Sequence, residues 1–225
     1  MAEESRLSNE QIEFMKKLKA IGSDLWGGAA DIWHPDSGSG EAAQQPETSP
    51  QPQKKKRAGG IDNIWKTADE TVDWTDALAH STPTDGLTGQ KLWKFYHENA
   101  EKVLSGDLDT YAEVLRTANP LGELTHYAQG INMRAPSPDR LESTFVCREE
   151  LLREKGEQYL SAMGLRIARD LLACLPAAEA SVTGEKEDGT VAFRATYSRE
   201  QLRHRNFSFL DPVELAKECG AEFHC

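Results

Sequence analysis

The chain has 225 residues, with 26 Lys and Arg against 37 Asp and Glu, and a formal net charge of −11. Hydrophobic residues make up 38%. That is below the roughly 45–50% of packed globular domains, a norm that also counts Gly, so part of the chain is expected to lie outside any core. No window approaches the ~18 uninterrupted apolar residues of a membrane span. Four cysteines without framework spacing fit free thiols in a reducing compartment. These features argue against a membrane protein, a secreted disulfide mini-protein and a generally basic nucleic-acid coat.

The first residues, Met1 to Arg6, are acidic and lead into a charged helix, which is not the pattern of a secretory signal. Residues 1–33 read as an amphipathic helical arm. Ser8 is placed to cap it, with Gln11 at the capping-box spacing. Ile12, Met15, Leu18, Ile21 and Leu25 then follow at steps of three and four, which puts them on one stripe. Gly27-Gly28 ends the pattern, and Trp26 and Trp33 are aromatic anchors beside it. An isolated helix of this length is marginal in water, so the stripe needs a surface to bury against.

Residues 34–60 read as a disordered linker. From Pro35 to Gly60 there is no aromatic residue and no Val, Ile or Leu, so burial cannot offset the entropy of ordering the backbone. Residues 61–88 form an acidic segment of net charge −5. Ile61, Ile64, Trp65, Ala68, Val72 and Leu78 repeat there at helical spacing, with Asp62, Asp69, Glu70, Asp73 and Asp76 opposite, which predicts one amphipathic helix before a turn. Gly27 to Trp33 and Gly59 to Trp65 share the pattern G-G-x-x-[D/N]-I-W, read as two helix boundaries that each use glycine and a tryptophan anchor.

Residues 89–225 read as an α+β domain. A helix is predicted from about Gln90 to Leu104, closed by Gly106, and a second one capped by Asp107 and stopped at Asn119-Pro120. A short turn follows over Leu121 to Ala128. Ile131, Met133 and Ala135 alternate before the turn at Pro136–Asp139, and Leu141, Ser143, Phe145 and Cys147 alternate after it. The strongest helical pattern runs from Glu149 to Leu175 and ends at Pro176. Ala178–Gly184 and Thr190–Tyr197 form a hairpin around a charged turn. Ser198 with Gln201 starts a short helix. Asp211-Pro212 starts another, and Gly220 ends it. The order β-β-α-β-β-α, after an N-terminal helical region, predicts a small antiparallel sheet packed on the one long helix.

Chemistry is sparse. Cys219, His224 and Cys225, with Cys147 as a fourth, are the most tempting metal ligands, but they lack the C-x2-4-C pairs of structural zinc. The six histidines lie in no nucleophile elbow, and phosphate-cradling glycine loops are missing from the sequence. His97, beside Glu98 and Glu101, reads as a solvated helix face. Lys54–Arg57 and the group Arg199, Arg203, His204 and Arg205, with Phe207 and Phe209 following, are the only basic runs; they read as solvated linker and helix surface before nucleic-acid contact, and the phenylalanines as core packing.

The sequence therefore reads first as a cytoplasmic interaction or adaptor protein that needs no cofactor and no metal and is not an enzyme. Its contact residues are Ile12, Met15, Leu18, Ile21, Leu25, Trp26 and Trp33, presented to a protein partner or a second copy. The alternative is a metal-dependent hydrolase or nuclease using Asp139, Glu142 and Glu185 at strand ends.

Overall fold

Two hairpins and the crossover between them set the architecture. In the computed structural model, which describes residues 60–83 and 90–224, β1 (Ala128–Ser137) turns back into antiparallel β2 (Arg140–Cys147). The chain then crosses over to β3 (Glu179–Glu185), which turns into antiparallel β4 (Val191–Ser198). At the second turn Gly189 takes φ 81°, a left-handed geometry that suits glycine, and the Asp188 carboxylate accepts the Thr190 N–H at 2.9 Å. A short β5 (Glu222–Phe223) adds at the far edge, giving the order β1-β2-β3-β4-β5.

The α+β class matches the expectation, with a long helix packed on the sheet, but the sheet is not wholly antiparallel. β2 and β3 pair in parallel, from Arg140 opposite Glu179 to Val146 opposite Glu185. The reason lies in the connection: a long helical crossover returns the chain to the end where β2 began, which only a parallel pairing satisfies.

Alternate strand residues are buried, the period of a sheet covered on one face. Leu141, Phe145, Val182, Phe193 and Tyr197 point into the core, while Glu142, Thr144, Ser181 and Thr196 on the other face are half-buried. The helices are α1 (Trp74–Ala79), α2 (Gln90–Leu104), α3 (Leu108–Ala118), α4 (Glu149–Lys155), α5 (Glu157–Cys174), α6 (Arg199–Arg203) and α7 (Pro212–Glu218). Local signals place most of their ends. Asp107 accepts the Thr110 N–H to cap α3, and Asn119 ends that helix at φ 45°. Ser198 and Gln201 form a complete capping box on α6, and Asp211 caps α7 ahead of Pro212.

The single helix expected over 149–175 is two. Gly156 breaks it at φ 50°, ψ −125°, outside the helical region and reachable without strain only by a residue lacking Cβ. α5 is the centre of the molecule: 15 of its 18 residues are buried, between the sheet, α7 and residues 61–66. At Gly164 α5 packs directly on the β4 side chains. A Cβ there would lie 2.5 Å from Phe193 Cε1 and 2.8 Å from its Cζ, and both belong to a fully buried ring. Gly164→Ala is therefore expected to destabilise the fold by about 1–3 kcal/mol through overpacking, despite alanine's better helix propensity. A lower urea midpoint at unchanged m-value checks this.

The single acidic helix predicted from Ile61 to Leu78 is also replaced. A 3-10 turn (Ile61–Lys66) gives way at Thr67 to extended backbone, and only Trp74–Ala79 is α-helical, capped by Asp73. The spacing of Ile64, Trp65 and Val72 reported burial correctly. It did not report that the intervening backbone hydrogen bonds to another element rather than to itself. The predicted arm, the linker and the contact residues Ile12 to Trp33 lie outside the described residues.

Candidate functional site

Residues 61–73 lie along α5 and are held there by a buried polar cluster. Arg166 and Asp170, one helical turn apart on α5, are 2% and 0% exposed. Arg166 Nε–H donates to Asp170 Oδ2 at 2.5 Å, and one Arg166 Nη donates to the Thr67 hydroxyl at 2.6 Å and to the Ile64 carbonyl at 3.4 Å. Glu123 stands 3.9 Å from the other Nη. Asp170 Oδ1 accepts the Asp69 backbone N–H at 2.8 Å. Arg169 Nη1 donates to the Trp65 carbonyl, and its guanidinium lies 3.6 Å from the centre of the Phe207 ring.

Two further bonds run from this segment to the end of α5. The Val72 N–H donates to the Ala173 carbonyl at 2.9 Å, and Trp74 Nε1–H donates to the Cys174 carbonyl at 3.0 Å. The Ile64 and Trp65 carbonyls and the Asp69 and Val72 N–H groups are thus partnered by α5 itself, which ties the extended segment to the helix without bonds within the segment.

Burial dominates the ionisation of this cluster. Desolvation pushes the Asp170 carboxyl up to about 6, against the opposing pull of Arg166, so it is mainly ionised at neutral pH. Burial likewise lowers the Arg169 guanidinium to about 10, leaving it charged. An ion pair of this kind adds little net stability, but either charge left alone is costly. The cluster fixes one arrangement of two elements. Among its described members none is a nucleophile with a base at hand.

The structure separates the carboxylates of the hydrolase reading. Glu142 lies between Arg134 (2.5 Å) and Arg140 (3.3 Å). Glu185 stands four register positions further along the parallel pair, about 13 Å at ~3.3 Å per residue. Asp139 sits in the first hairpin turn, where its carbonyl accepts the Ala178 and Glu179 N–H groups. Among the described residues, no three His, Cys, Asp or Glu side chains are grouped to hold a metal ion.

The second basic run is also dispersed. Arg199 turns inward and donates to the carbonyls of Leu172, Leu175 and Ala177, all at 2.7–2.9 Å, closing the C-terminal end of α5. Arg205 pairs with Glu218 at 2.8 Å. Phe207 packs under Arg169 as a core-type residue should, whereas Phe209 is 89% exposed. His97 is not a solvated residue: it is half-buried, and its Nδ1 lies 2.7 Å from the Ala77 carbonyl, tying α2 to α1.

A cavity of about 300 Å³ lies at the carboxyl ends of β2 and β3, lined by Cys147, Glu149, Leu152, Arg153 and Lys186. Neither the buried cluster nor this cavity was singled out from the sequence. Arg166 and Asp170 stand at the (i, i+4) spacing that exposed surface pairs also show, so spacing alone does not mark them. The available signal was the apolar or small residues on every side of them, Ala162 to Leu165 and Ile167 to Ala168, which mark a helix covered all round.

Comparison with protein-family models, with characterised proteins and with solved structures gave no match. No helix among the described residues is long and apolar enough to cross a membrane.

Proposed function

We propose that this chain is a non-enzymatic interaction protein of the cytoplasm, which binds a protein partner through the stripe Ile12, Met15, Leu18, Ile21 and Leu25, with Trp26 and Trp33 as anchors. The observation that best supports this reading is the fastening of residues 61–73 to α5 by Arg166, Arg169 and Asp170. A recognition element at the end of a tether acts on a body only if the tether's root is held. Here the root is held by buried charge-assisted bonds, the strong class of hydrogen bond. Aromatic anchors supply much of the energy of such contacts, and a tether raises the effective concentration of the arm near a second site.

The test uses the full chain with Leu18→Asp and Ile21→Asp together. Crosslinking in cells followed by mass spectrometry is expected to find partner crosslinks to residues 1–33 in the parent chain and to lose them in the variant. The urea midpoint of the body should be unchanged. Crosslinks of equal yield in both chains would overturn the reading.

A further inference from the structure

α4 is an unusual helix for a packed protein, because none of its seven residues is buried. It leaves α5 at the Gly156 break and stands at the end of the sheet, with Glu149, Leu152 and Arg153, spaced as neighbours on one helix face, lining the 300 Å³ cavity. The opposite wall is Cys147, the last residue of β2, and Lys186, the first residue after β3. The cleft opens to the surface, and 300 Å³ is the lower end of the range for small-molecule sites. The position is the carboxyl end of the parallel β2–β3 pair, where the crossover begins.

The lining specifies charge and shape. Two of the five residues are cations and one is an acid. Arg153 reaches Glu149 only at 3.9 Å, with both side chains well exposed. Lys186 has no ion-pair partner among the described residues. The lining therefore carries a net charge of +1, which one monoanion neutralises and a dianion overshoots. Leu152 is half-buried and Cys147 is buried, and together they form the less polar part of the wall. We infer that this cavity binds a small monocarboxylate, its head between Arg153 and Lys186 and its short alkyl body against Leu152 and Cys147. The planar guanidinium fork matches a carboxylate. None of its lining residues belongs to the buried cluster.

Butyrate is the probe, with inorganic phosphate and butylamine as controls, each titrated into the full chain and followed by amide chemical shifts. Saturable shifts confined to residues 147–153 and 186 are expected for butyrate, and none for butylamine. Phosphate, lacking the alkyl body, should bind more weakly. Arg153→Gln with Lys186→Gln removes two charge-assisted bonds and should weaken butyrate binding by about tenfold or more. The double variant should keep the parent's urea midpoint, since neither side chain supports the core. Absence of saturable shifts, equal binding of phosphate, or butyrate binding unchanged in the double variant would overturn the inference.

Discussion

Asp170→Ala should cost about 3–5 kcal/mol of stability, the range for removing one partner of a buried ion pair. The loss comes chiefly from what remains. Arg166 is 2% exposed and would keep only Glu123, at 3.9 Å, as a counter-charge, while the Asp69 N–H would lose its acceptor. Thermal or urea denaturation measures it. The pH dependence carries a separate sign. The folded carboxyl titrates at about 6 against an ordinary 3.8, so the native state holds this proton more tightly than the unfolded one. The contribution of Asp170 is therefore fully present below about pH 4, declines as pH rises towards 6, and is flat above. Asp170→Asn should remove that decline from the curve of urea midpoint against pH. An unchanged curve would mean that the carboxyl is better solvated than its burial indicates.

Phe145→Ala should also lose about 3–5 kcal/mol, the usual cost of deleting a fully buried phenylalanine. Phe145 sits in β2 and meets the Tyr159 ring edge-on, with centroids 6.2 Å apart and planes at 87°. It also covers Gly184 on the neighbouring strand: a Cβ on that glycine would lie 2.8 Å from the phenylalanine Cζ. Removing the ring empties the space on both sides, and neither α5 nor β3 can close it without breaking the parallel register that joins the two hairpins. Equilibrium unfolding should show the loss with a single transition. A cost below about 1 kcal/mol would mean that the core collapses around the gap, contrary to the close packing at Gly184 and Gly164.

Where a structural feature depends on neighbours in the chain, the sequence was a good guide. The caps at Asp107, Ser198 and Asp211, the αL stop at Asn119 and the glycine after α7 are all short-range chemistry. The alternation in β2, β3 and β4 needed only one buried face to be visible. What was hidden depends on distant partners. The apolar spacing after Ile61 tracks burial at Ile64 and Trp65, but Leu78 on the same stripe is 45% exposed, and Arg166, Arg169 and the carbonyl of Ala173 take up the backbone groups a helix would have used. β5, two residues long, has too few positions to show any period. The cavity joins Cys147 and the α4 residues to Lys186, more than thirty positions further on, and no spacing rule connects them.

Residues 61–73 are an integral part of the body, bolted to α5. Native-state hydrogen exchange of the Asp69 and Val72 amides tests it most directly. Both donate to α5, one to the Asp170 carboxylate and the other to the Ala173 carbonyl. They should exchange only through global unfolding, with the same free energy as the α5 amides. Exchange of Asp69 and Val72 by local opening, with free energies far below that of α5, would contradict it.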